Sequence, residues 1–242
     1  VLDLIGKNHG LKKTHEIARI ISCIKFRLES LNEPPFAFVT SFTSQRDATT
    51  HWQGYSGSSG VALHFDARAL SEQAKQIGAY LSCCKYVENQ QQDFINSLFS
   101  ELLTKCQTTL DSGFSSDEDH LKWLAEVTLY NLAKAAPIIK SKEFSHEQEW
   151  RCVYYLPWDG YSKYPDLSEI EFLNRSGIVT GRKALKLSIK KGEKALLPLK
   201  AITVGPSQYQ PINMLTIPAL LSKYGYEGIK FRESVSPLRQ NI

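Results

Sequence analysis

No Cys-x-x-Cys pair occurs in this chain, and no histidine stands at zinc-ligand spacing from a cysteine. A structural zinc site is therefore not expected, nor any other metal. The five cysteines (Cys23, Cys83, Cys84, Cys106 and Cys152) are odd in number and include an adjacent pair. That pattern reads as buried, reduced thiols in a cytoplasmic protein rather than a disulfide framework. Long apolar runs are also missing. Ala195-Leu196-Leu197-Pro198-Leu199 is among the longest and falls far short of a bilayer span. No secretory signal opens the chain, so no membrane partner is expected. Strong charge of one sign is absent too: a formal net charge of +4 is weaker than a dedicated nucleic-acid binder shows. Internal repeats and low-complexity linkers are lacking.

What is present suits an ordinary globular protein. Hydrophobic residues make up 42% and charged residues 22% of 242 positions, enough to bury a real core. The sequence opens on Val1 rather than methionine, and we expect it to be part of a longer polypeptide with a further N-terminal segment.

Periodicity predicts the element order. Ile17, Ile20, Ile21, Ile24 and Leu28 mark an amphipathic helix over Thr14 to Ser30. Phe36 to Phe42, apolar on both faces, is expected to be a central strand. A short helix follows over Gln45 to Tyr55, then a Gly/Ser turn and a strand at Val61 to Phe65. A helix over Ala67 to Ala74 and a strand over Ala79 to Val87 come next. From Asn89 to about Ile139 the pattern is helical, with one helix through Phe94 and Leu98 and another through Leu121 to Ala133. Strands are expected at Trp150 to Leu156, Lys183 to Ile189 and Ala195 to Val204. A helix at Ile212 to Tyr224 and a strand at Gly228 to Arg232 close the chain. The simplest organisation is one α+β domain over 1–242 with a helical insertion between Asn89 and Ile139.

The most informative stretch is Phe144-Ser145-His146-Glu147-Gln148-Glu149-Trp150-Arg151. Read as a strand, it puts Glu147, Glu149, Arg151 and Val153 on one face and Gln148, Trp150, Cys152 and Tyr154 on the other. Two carboxylates and a guanidinium on one face either form a surface ion pair, worth ~0–1 kcal/mol, or line a site where charge is used.

A set of motifs extends this. It comprises Ser41-Phe42-Thr43, Asp47, Trp52-x-x-Tyr55, Gly60-Val61-Ala62-Leu63-x-Phe65-Asp66, Lys142-x-Phe144-x-x-Glu147-x-Glu149-Trp150-Arg151, Ile202-x-Val204-Gly205-Pro206 and Ser234-x-x-Pro237-x-Arg239. Together they resemble an uncharacterised bacterial family, a domain of unknown function often labelled abortive-infection or phage-resistance protein. That family is distantly similar to ADP-ribosyltransferases. The resemblance runs from about Phe36 to Arg239.

It implies an α+β fold with a mixed or antiparallel central sheet like that of ADP-ribosyltransferases. It also implies NAD as substrate and a macromolecular acceptor, protein or nucleic acid, in a toxin or defence effector. Glu149 matches the catalytic carboxylate of a Glu-x-Glu strand, with Glu147 the earlier acid. Ser41 and Thr43 match hydroxyls near the nicotinamide, and Trp52, Tyr55 and Arg151 are the remaining candidate NAD contacts. The early strand with Arg or His that holds NAD in such enzymes has no counterpart upstream of Phe36.

The chemistry explains the residue types. Breaking the glycosidic bond of NAD creates an oxocarbenium-like sugar that a nearby carboxylate stabilises, while a second acid can activate the acceptor. Each signal also has a plainer explanation. Trp52 and Tyr55 are more commonly packing residues. Ser41, Thr43 and Ser44 suit the cap of a helix starting near Arg46. His51 and His64 are isolated in sequence. The Lys183, Lys186, Lys190, Lys191 and Lys194 run suits a solvated face. The competing function is a recognition or regulatory module in phage defence without catalysis.

Overall fold

The computed structural model describes residues 37–111 except 58, then 135–156, 166–191 and 194–237, with Arg19 and Ser22 as isolated positions. Apart from Arg19 and Ser22, the helix expected over Thr14 to Ser30 lies outside the described residues, as does the one expected over Leu121 to Ala133. The chain gathers into two compact units. One comprises Phe38–Cys83, Ser145–Tyr154 and Leu167–Ile242; the other comprises the described parts of Val1–Ala37, Cys84–Phe144 and Tyr155–Asp166. The fold is mixed α+β, with small sheets and several helices.

In the first unit, strands β1 (Ala37–Thr43), β3 (Tyr80–Cys83) and β4 (Glu149–Tyr155) form a three-stranded sheet in the order β1-β4-β3. β3 and β4 are antiparallel, pairing Leu81 with Cys152 and Ser82 with Arg151. Among the described residues β1 is therefore an edge strand of this sheet, not the central strand expected from its apolar residues. Its Val39 is 43% exposed, whereas Cys152 and Val153 of β4 are fully buried.

A second sheet has the order β10-β9-β2, from β2 (Val61–Phe65), β9 (Leu199–Val204) and β10 (Lys230–Glu233). β10 runs parallel to β9, and β2 antiparallel to it. Helix α2 (Ala67–Gln76) follows β2 and is capped by Asp66, whose side chain accepts from the amides of Arg68 and Ala69. Leu70 and Ala74 of α2 form a core with Ala79, Cys152 and Leu187, edged by Phe42, Phe65, Leu81 and Tyr154. Phe42 and Phe65 meet edge to face at 5.8 Å, joining the two sheets.

Helix α1 (Thr49–Tyr55) lies between β1 and β2. Two hairpins, β5 (Glu171–Arg175) with β6 (Ile178–Arg182) and β7 (Ile189–Lys191) with β8 (Lys194–Leu196), precede β9. The first hairpin has no counterpart among the strands expected from periodicity. Its two-residue turn uses Ser176 and Gly177, both at positive φ, and only the glycine adopts that conformation freely. No strand runs from Lys183: pairing begins at Ile189, while Leu185 and Leu187 leave the ladder to fill the core. The expected strand over Ala195 to Val204 is two strands separated at Leu197-Pro198, since proline cannot donate to a ladder. Helix α4 (Gln210–Lys223) packs on β9 and β10.

The second unit contains α3 (Glu88–Asp111) and a 3-10 turn at Ala136–Ile138, with Cys84, Ala135 and Ile138 buried. The Gln91 amide donates to the carbonyls of Lys85 and Lys140, pinning the helix to a short bridge between Lys85 and Ile139. No helix among the described residues is long and apolar enough to cross a membrane.

Candidate functional site

Side-chain alternation assigns the faces of the β1-β4-β3 sheet. Phe42, Leu81, Cys152 and Tyr154 all belong to the core around α2. Ser41 and Thr43 on β1, Glu149 and Arg151 on β4, and Ser82 on β3 must then share the opposite face. Hydroxyls and charges from three strands are thus gathered on one side, where Glu149 and Val153 are themselves buried.

Glu149 opens β4 and is 6% exposed. Arg151, two residues on and on the same face, grips it with a fork: Nε donates to Oε1 at 2.9 Å and Nη2 to Oε2 at 3.1 Å. A two-bonded carboxylate–guanidinium pair fixes both planes and satisfies charge that burial would otherwise penalise. The plain surface salt bridge is excluded for these two residues, because the Glu149 side chain is only 7% exposed and that of Arg151 20%.

Glu147 is not on this strand, contrary to the expected alternation. Residues Lys142–Glu147 form a 3-10 helix, and Gln148 has φ +44°, in the left-handed region that non-glycine residues rarely enter. The backbone turns there, so Glu147 and Glu149 are not neighbours on one pleated face. The kink is held from β1. The Thr43 hydroxyl donates to the Glu147 carbonyl at 2.7 Å, the Ser44 amide to the Gln148 carbonyl at 3.2 Å, and the Ser44 hydroxyl to Gln148 Oε1 at 2.8 Å. Thr43 and Ser44 therefore do not cap the following helix, which begins only at Thr49 and has no side-chain cap. The Tyr55 hydroxyl reaches Glu147 Oε1 at 3.5 Å, a long contact, and Tyr55 is 77% exposed.

Trp52 lies elsewhere. It is 8% exposed, and its indole N–H donates to Asp47 Oδ1 at 2.6 Å. A methyl group on Gly205 would sit 2.9 Å from the Trp52 ring and 2.9 Å from the Gly60 carbonyl oxygen, so this turn needs glycine for close approach. Trp52 is packed into this turn.

Sequence reasoning missed the node around Asp47. Besides Trp52, Asp47 accepts from the Ser234 hydroxyl at 2.6 Å, the Val235 amide at 2.9 Å and the Ser236 hydroxyl at 3.4 Å. Burial pushes its carboxyl up, but the bonds from Ser234, Trp52, Val235 and Ser236 outweigh that and leave it below its ordinary value. Asp47 and Ser234 both stand in the motif set, yet a separation of 187 residues carries no pairing signal. His64, isolated in sequence, is not isolated in the fold: its Nε2 lies 2.7 Å from the buried Thr203 hydroxyl. Lys183 does not belong to a solvated face either. Its side chain is 10% exposed, paired with Glu169 and seated 5.1 Å above the Tyr154 ring. Among the described residues no group of three His, Cys, Asp or Glu could hold a metal ion.

A family model described as a protein of unknown function (DUF2971) matches residues 51–152. Over this segment, less than half of the chain, the protein is similar to that family. The segment carries Trp52, Tyr55, Glu147, Glu149 and Arg151 but stops short of Thr203 and Arg232, and begins after Thr43 and Asp47. No curated protein and no solved structure matches the chain.

Proposed function

We propose that this protein is an ADP-ribosyltransferase-like enzyme that transfers ADP-ribose from NAD to a macromolecular acceptor, as a toxin or phage-defence effector. The single observation that carries this reading is the joining of the β1 hydroxyl end to the head of β4, through Thr43 and Ser44 to Glu147 and Gln148. The Thr43 and Ser44 hydroxyls, Tyr55 and Glu147 then meet at the head of β4, one residue before the Glu149–Arg151 pair begins, and supply the kinds of group a nicotinamide riboside needs.

The step is a displacement at the ribose C1′. The bond from C1′ to the nicotinamide nitrogen breaks, and its electron pair leaves with neutral nicotinamide. The acceptor atom supplies the pair for the new bond, and its proton passes to the Glu147 carboxylate. Glu149 holds negative charge near the oxocarbenium-like ribose and keeps Arg151 in place. The exposed Tyr55 ring offers a stacking surface, which Trp52, engaged with Asp47, does not.

The test is nicotinamide release from NAD by the purified full chain. Glu149→Gln, close to the natural shape, is expected to lower it at least about a hundredfold, as removal of one transition-state contact does. Undiminished release in a folded Glu149→Gln protein rules the reading out.

One observation favours a recognition module instead: both Glu149 oxygens are engaged by Arg151 in a nearly buried pair. Under that reading the pair is scaffolding, and the wild-type chain releases no nicotinamide.

A further inference from the structure

The β10-β9-β2 sheet has one polar face. Arg232 pairs across the ladder with Thr203, and Thr203 with Ala62; Lys230 pairs with Ala201, and Ala201 with His64. Partners across a ladder point the same way, so Lys230, Arg232, Thr203 and His64 share that face. Ile202, Val204 and Phe231 occupy the other. Ser234, two residues beyond Arg232, hydrogen-bonds Asp47, which draws the 43–47 segment and its Arg46 to this end of the sheet.

The charge there is unbalanced. Burial first, then Arg232 and Arg46, push the proton off His64, against the opposing pull of Asp47. Among the described residues neither guanidinium makes an ion pair or a hydrogen bond. Asp47, the carboxylate that acts on His64, spends its oxygens on Trp52, Ser234, Val235 and Ser236. Two unpaired arginines beside a neutral imidazole and a threonine hydroxyl make an incomplete arrangement. Arginine forks match phosphate oxygens, and a phosphoryl group would supply the missing negative charge.

We propose that Arg46, Arg232 and His64 form a binding site for the phosphate or diphosphate group of a small ligand, with Thr203 orienting the imidazole. The site stands apart from the transferase reading, since it uses neither Glu147 nor Glu149. Binding converts His64 into a further donor, because the anion offsets the repulsion from Arg46 and Arg232.

The probe is inorganic pyrophosphate, added to the full chain at constant ionic strength set with chloride. The His64 ring signal, identified by its loss in His64→Gln, is followed by NMR across a pH titration. Pyrophosphate is expected to raise the pH at which His64 titrates. The Arg46→Gln/Arg232→Gln double variant is expected to abolish that rise and bind at least about tenfold more weakly. A wild-type His64 titration that pyrophosphate moves no more than chloride does overturns the site. So does a folded double variant that binds pyrophosphate as the wild type does. If the double variant fails to fold, the wild-type titration decides alone.

Discussion

Arg151 holds Glu149 from two residues further along the same strand face, with both guanidinium bonds at 3.1 Å or less. An i, i+2 pair on a pleated strand needs no turn or loop to align it; the alternation of β4 brings the two side chains together. Because the pair is largely withdrawn from water, its halves depend on each other.

Removing one half should therefore cost far more than an exposed pair would. Glu149→Ala is expected to lose about 3–5 kcal/mol of stability. Combining it with Arg151→Leu should cost clearly less than the sum of the single changes. Urea unfolding midpoints at unchanged slope read this out. Additive losses would mean that the two side chains do not act as a unit.

Asp47 ties the loop after β1 to the segment after β10 and to Trp52. Asp47→Ala takes an acceptor from the indole, from two hydroxyls and from the Val235 amide, and is expected to cost about 1–3 kcal/mol. Its carboxyl lies below the ordinary value in the folded protein. The stability it contributes is present above the unfolded value near pH 4 and lost as pH falls through the folded value. Wild type should lose stability in that acid range more steeply than Asp47→Asn. Equal acid slopes in the two proteins would refute this.

His64 gives a second pH window, with the imidazole below its ordinary value because of burial, Arg232 and Arg46. The unfolded imidazole takes up its proton near pH 6.5, before the folded one does. Unfolded chains then bind more protons across that window, so stability rises with pH through it and is lost as pH drops below about 6.5. Unfolding midpoints at pH 7.5 and 5.5, in phosphate-free buffer, should differ more for wild type than for His64→Gln. A matching difference in both would remove His64 from the account.

Gly205→Ala places a methyl 2.9 Å from both the Trp52 ring and the Gly60 carbonyl oxygen. A ring can shift, but a backbone oxygen in the turn has little room. A loss of about 1–3 kcal/mol is expected from overpacking, with a change in Trp52 fluorescence. An unchanged melting temperature would show that the turn relaxes freely.

Strands with strong alternation were legible without coordinates. Val61–Phe65 has the bounds its composition suggests, and β4 starts only one residue before Trp150. Helix α3 begins within a residue of Asn89. Three features were not legible, each for its own reason. Gln148 carries no mark of a left-handed residue, so the kink that removes Glu147 from β4 was invisible. The edge position of β1 depends on which strand β4 pairs with, a long-range choice that local composition does not encode. The Asp47 node and the sheet face carrying Arg232 and His64 join residues far apart in sequence, and isolated charges look alike until a register aligns them.

The most direct measurement is a crystal of the full chain soaked with NAD. The account predicts density for the nicotinamide riboside beside Tyr55, Glu147 and Thr43. Saturating NAD that leaves the head of β4 without density, or that binds only elsewhere, would contradict it.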